Sequence, residues 1–116
     1  MADSGGAALV ATIAQRVAAG GWTSPIERQV LLYPSVDYTM SGSSIARFGS
    51  GYLLTAERIA WYFDRYFPSG TDREAASPLS GPYSATMPQT LVVAAEYDPL
   101  RSEAEEYVTR MRAAGT

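Results

Sequence analysis

The 116-residue sequence predicts an α/β fold, a partial domain with a short parallel sheet of about two strands flanked by helices. Three observations carry this. In residues 4–19, Leu9, Ile13 and Val17 recur every four residues with Val10 and Ala14 beside them, the spacing of one apolar helix face. Two short apolar runs, Gln29-Val30-Leu31-Leu32-Tyr33 and Thr90-Leu91-Val92-Val93-Ala94-Ala95, do not alternate, which suits strands covered on both faces as in a parallel sheet. Helical patterns stand before the first run, between the two and after the second.

The first helix is stopped by Gly20-Gly21, which supply the left-handed residue that a helix end wants. Residues 22–28 read as a loop with Thr23-Ser24-Pro25 as its turn, and Pro34 ends the first strand. Residues 35–51, rich in Ser, Gly and Thr, read as a long surface loop with a short turn of helix near 45–48. Thr55 then caps a helix with Glu57 in its first turn and Leu54 stapled onto Ile59. Ile59, Tyr62, Phe63, Tyr66 and Phe67 share a face, either core or the wall of a pocket, and Pro68 ends it. Residues 69–88 read as loop, broken by Pro78, Pro82 and Pro88. After the second strand, Asp98-Pro99 opens a last helix with Leu100, Ala104, Tyr107, Val108 and Met111 on one face and Gly115 as its cap.

Composition narrows the chemistry. Hydrophobic residues make up 47% of the chain, enough for one core in one small domain. All nine basic residues are arginines, scattered in a chain of net charge −3, so there is no basic face for nucleic acid. Cysteine is absent, which excludes disulfides and thiolate metal sites. Histidine is absent as well, and with it the usual general base of serine catalysis. No run approaches a membrane span, and the apolar N-terminal stretch has helical periodicity and no basic leader, so a cytoplasmic protein is the default expectation.

Two positions carry the candidate chemistry. Ala2-Asp3-Ser4-Gly5-Gly6 sets a serine among small residues immediately before a helix, near the G-x-S-x-G pattern of a nucleophile elbow with Ala2 in the first glycine position. Asp3 or Ser4 as a simple helix cap is the competing reading, and an anion-binding helix start at Ser4-Gly5-Gly6 is a third, disfavoured by Asp3. Asp98 follows the carboxyl end of a predicted parallel strand, where open α/β sheets place functional groups, although Asp-Pro is also an ordinary helix opening. Glu96 and Asp37 are the other carboxylates near strand ends.

With these residues in place, the chain resembles the hormone-sensitive-lipase-like branch of the α/β hydrolases, the group of bacterial carboxylesterases and lipases. The likeness runs from Asp3-Ser4-Gly5-Gly6 through Leu31-Leu32-Tyr33-Pro34, Gly51-Tyr52-Leu53-Leu54-Thr55 and Ser77-Pro78-Leu79 to Ala94-Ala95-Glu96-Tyr97-Asp98-Pro99-Leu100-Arg101. The resemblance implies Ser4 as nucleophile, Asp98 as triad acid, the Gly5 amide as one oxyanion donor, a small-molecule ester as substrate, and no metal or organic cofactor. It also implies a His-Gly-Gly oxyanion loop upstream and a catalytic histidine downstream, neither of which this sequence contains. The expectation is therefore a central-to-C-terminal piece of an esterase, inactive alone and prone to self-association through an uncovered sheet edge near residues 30–33. The alternative is a non-catalytic α/β module serving assembly or binding.

Overall fold

The computed structural model describes residues 1–23 and 25–116; the turn expected at Ser24 lies outside them. The chain passes from a two-residue strand, β1 (Ala2–Asp3), directly into α1 (Ser4–Ala18). It then forms β2 (Arg28–Leu32), α2 (Ser43–Phe48), α3 (Ala56–Tyr66), α4 (Arg73–Ala76), β3 (Gln89–Val93) and α5 (Arg101–Ala113). The strands form one parallel sheet in the order β1-β2-β3, with Leu31 paired to Ala2 on one side and to Val92 on the other. The sheet thus has three strands where about two were expected. The strand expected to have an uncovered edge is the middle one, because Ala2 and Asp3 pair with Leu31 and Leu32.

Among the described residues, helices cover one face of the sheet, while the other is only partly covered. Leu31 and Val92 pack with Ala7 and Ala11 of α1 and with Tyr107 and Met111 of α5, in the main core cluster. Side chains alternate along strands, so Val30, Leu32, Leu91 and Val93 share the opposite face. There Leu91 remains 59% exposed and Val93 44%. The expectation of strands covered on both faces therefore fails among the described residues, since α1 and α5 both pack on the Leu31–Val92 side.

The buried face of α1 also differs from the expected one. Ala7, Ala8, Ala11 and Ala14 are buried with Gln15, whereas Leu9 is exposed. Alanines let the helix axis approach the sheet closely, while Val10 packs at the edge of the core and Leu9 faces outward. The alanine series keeps the three- and four-residue spacing of a helix; the buried face shares Ala14 with the expected one and is rotated away from Leu9. The helix ends as expected, with Gly20 at φ 78.

The chain leaves β2 for α2 and α3. Thr55 caps α3, its Oγ1 accepting from the Arg58 amide at 3.2 Å. Ile59 and Phe63 are buried against Ala8, Tyr38 and Leu100 in a second cluster, which Leu54 flanks. Tyr38 and Phe63 meet edge to face with centroids 5.2 Å apart. Residues 69–88 are more structured than expected, holding α4 and a 3-10 turn at Pro78–Ser80. The Pro78 carbonyl accepts from Gln15 Nε2 at 2.8 Å, tying this segment to α1. α5 ends as expected, Gly115 taking φ 90 and the Thr116 amide donating to the Met111 carbonyl at 3.1 Å.

Candidate active site

Ser4 stands where β1 becomes α1, and its backbone is strained. Its φ is 50, in the left-handed region that costs an L-residue about 1–2 kcal/mol. Asp3 occupies the N-cap position in extended conformation, yet its side chain makes no capping hydrogen bond. The simple capping reading of this junction is therefore not realised. Instead the Ser4 carbonyl accepts from the Ser35 amide at 3.2 Å, joining the turn to the segment that follows β2.

A cavity of about 490 Å³ opens beside this turn, with Ser4, Gly5 and Ser35 on its wall. The rest of the wall is mainly apolar and aromatic: Leu9 of α1, Tyr38, Leu54, Leu100, and Ile59, Tyr62, Phe63 and Tyr66 of α3. The aromatic face of α3 is thus both things that its sequence allowed. Ile59 and Phe63 anchor it in the core, while Tyr62 and Tyr66 stay half exposed at the cavity.

Asp98 follows β3 in the turn leading to α5. Its Oδ1 accepts from the Leu100 amide at 2.9 Å, and among the described residues its Oδ2 accepts no hydrogen bond. The helix begins one residue after Leu100, so Asp98 shapes the turn ahead of the helix rather than acting as its N-cap residue. Asp98 does not line the cavity, whereas Leu100 does. Both junctions follow the carboxyl ends of strands that flank β2, Ser4 directly after β1 and Asp98 five residues after β3.

The other carboxylates are differently employed. Asp37 is buried, with Oδ1 accepting from the Thr39 amide at 2.9 Å and the Thr39 hydroxyl at 2.6 Å. Its Oδ2 accepts from the Ser41 amide at 3.0 Å and the Ser41 hydroxyl at 2.7 Å. Burial alone would raise its pKa, but these four donors outweigh burial and hold it below 3.8. Both of its oxygens are committed to its own loop. The Glu96 side chain is exposed, and its carbonyl accepts from Arg101 at 3.3 Å.

The sequence reading missed three contributors. Ser35 and Tyr38 lie in a stretch read only as loop, and no periodicity marks them. Glu103 is 2% exposed at the start of α5, and its Oε1 accepts from the Val36 and Asp37 amides at 2.7 and 3.2 Å. A signal for it was present, since Glu103 falls one position before Ala104 on the apolar face running from Leu100 to Met111.

Known proteins match this arrangement along the whole chain. A family profile described as alpha/beta hydrolase fold matches residues 1–116. The ethyl acetate hydrolase of Pseudomonas putida is 33% identical over 115 residues, covering 97% of this chain and 36% of that protein. The carboxylic ester hydrolase LipN of Mycobacterium tuberculosis is 36% identical over 122 residues, covering 98% of this chain and 32% of the relative. Among solved structures, a hyperthermophilic esterase from the archaeon Pyrobaculum calidifontis superposes with a TM-score of 0.88 at 36% identity, over 98% of this chain and 37% of that one. The chain spans about a third of the length of these relatives. A parallel sheet with a strained serine at its strand-to-helix turn, together with a match over every residue, makes this chain a member of the α/β-hydrolase fold family, in its hormone-sensitive-lipase-like branch.

Proposed function

We propose that this chain carries the nucleophile and acid junctions of a carboxylic ester hydrolase acting on small esters. The observation that carries the reading is Ser4 itself, a non-glycine residue at φ 50 on a strand-to-helix turn that opens into an apolar cavity. Backbone strain of this kind persists where the surrounding structure holds a side chain out for use. In the complete enzyme Ser4 attacks the ester carbonyl, the alcohol leaves, and water hydrolyses the acyl-enzyme. The Gly5 amide, at the start of α1, donates to the developing oxyanion. Asp98, whose Oδ2 accepts no hydrogen bond among the described residues, orients a histidine supplied from outside these 116 residues.

By itself the chain is expected to be inactive. It contains no histidine, and losing the base costs roughly a millionfold in related serine chemistry, about 8 kcal/mol. The test is a chimera in which this chain replaces the matching third of the Pseudomonas putida enzyme. Hydrolysis of p-nitrophenyl acetate is expected, abolished by Ser4→Ala and strongly lowered by Asp98→Asn. Full activity in the Ser4→Ala chimera removes the serine assignment.

A second reading, a non-catalytic module for assembly, draws on the missing histidine and on the sheet face left partly exposed at Leu91 and Val93. It predicts concentration-dependent association of the chain. A chain that stays monomeric at micromolar concentration in sedimentation equilibrium removes it.

A further inference from the structure

The segment after β2 joins the Ser4 turn, the cavity wall and α5. Its Ser35 amide reaches the Ser4 carbonyl, and Ser35 and Tyr38 form cavity wall. Between those two residues, the adjacent amides of Val36 and Asp37 both end on one oxygen of Glu103, at 2.7 and 3.2 Å. Glu103 stands on α5, five positions after Asp98, and a second tie runs parallel to it. Ser44 donates from its hydroxyl to the Pro99 carbonyl at 2.5 Å and accepts from the Ser102 amide at 2.9 Å.

The serine tie can be lost without burying a charge. Loss of the glutamate tie would instead leave two buried amides without their common acceptor. A carboxyl on the apolar face of a helix is expensive to keep there, which demands a reason for it. Core packing gives none, since an aliphatic side chain at this position would fill the same space.

We propose that Glu103 is a positioning residue: it holds the 35–38 wall of the Ser4 cavity in fixed register with the turn that carries Asp98. The roles of Ser4 and Asp98 in this statement rest on the esterase reading above. The clamp itself rests only on the hydrogen bonds.

Its ionisation supplies a handle. Burial raises the Glu103 carboxyl to about 8; the Asp37 and Val36 amides act against this, and the Asp37 and Asp98 carboxylates reinforce it. Tyr38, whose hydroxyl is pushed up to about 12 by burial, by Tyr66 and by Glu103, stays neutral across the working range.

The test follows backbone amides by NMR in the intact chain, with no need for turnover. In the wild type, the Val36 and Asp37 amide signals are expected to titrate together near pH 8, carrying Ser35 and Tyr38 with them. Glu103→Gln keeps an acceptor oxygen, so it should preserve the wild-type protection of these amides and abolish the titration. Glu103→Ala should speed hydrogen exchange at residues 35–38 about tenfold or more, while Ala11 and Leu31 in the main core change little.

Equal acceleration at Ala11 and Leu31 would make Glu103 an ordinary stability residue and overturn the proposal. Should the alanine variant not fold, the titration decides. Val36 and Asp37 signals that titrate with Glu103 but move without Ser35 and Tyr38 overturn it equally. Failure of the esterase reading looks different: the clamp signals would be present, and the chimera described above would hydrolyse esters without Ser4.

Discussion

The strain at Ser4 is measurable without any chemistry, through the pair of variants Ser4→Ala and Ser4→Gly. Both remove the hydroxyl, but only glycine removes the Cβ that makes φ 50 costly. The left-handed conformation costs an L-residue about 1–2 kcal/mol. Glycine gives some of this back, because it loses more backbone freedom on folding, about 0.5–1 kcal/mol. The expected net is that Ser4→Gly is more stable than Ser4→Ala by roughly 0.5–1 kcal/mol, while Ser4→Ala stays within about 0.5 kcal/mol of the wild type. In a domain of this size that difference moves the melting midpoint by a few degrees, about 4 °C per kcal/mol. Urea titrations of the two variants, followed by circular dichroism in parallel with thermal melts, resolve it. Both variants only remove atoms from the turn, so neither introduces a new clash. If the glycine variant proves no more stable than the alanine variant, the turn is relaxed, and the strongest support for a held-out nucleophile is gone.

Three further outcomes are expected. The chain alone should show no hydrolysis of short p-nitrophenyl esters above buffer, and turnover that Ser4→Ala abolishes would require a base among its own carboxylates. Phe63→Ala, which empties a site only 8% exposed beneath the cavity, should cost about 3–5 kcal/mol in denaturant titrations; a cost below about 1 kcal/mol would mean that α3 is not anchored by this ring. Asp37 has a lowered folded pKa, so its contribution is present above the unfolded value near 3.8 and is lost as pH falls through the folded one. The stability gap between wild type and Asp37→Asn should therefore be constant near neutrality and shrink below about pH 4; a gap unchanged down to pH 2.5 contradicts that assignment.

Local signals fixed most elements, and the errors have a common cause. Thr55, Pro68, Gly20 and Gly115 mark helix ends by their own backbone chemistry, which needs no partner, and the structure follows them. The phase of α1 depended on what the helix packs against. Leu9, Ile13 and Val17 are the stronger apolar signal, but the sheet selects Ala7, Ala11 and Ala14 because only small side chains permit that approach. The third strand was invisible for the same reason: two residues, Ala2 and Asp3, carry no pattern and become a strand only by pairing with Leu31 and Leu32. The turn at Ser4 and the helix opening near Asp98 were legible from their local residues. Ser35 and Glu103 were not, since their partners are distant in sequence and meet only when the sheet closes.

The pairing of β2 with β3 also governs how the chain reaches this state. Gln29 and Thr90, hydrogen bonded at 2.8 Å across the central ladder, are 61 residues apart in sequence. Closing a loop of that length costs on the order of 4 kcal/mol before any ladder bond offsets it. Contact order is therefore high at the centre of the sheet, and folding should wait on this one encounter. Until it happens, Leu91 and Val93 belong to a free apolar strand with good β-propensity, the kind of segment that pairs readily with another copy of itself. Recovery of the chain on refolding should accordingly be set by protein concentration during that waiting time, and dilute, slow refolding should give more monomer than any change of final buffer.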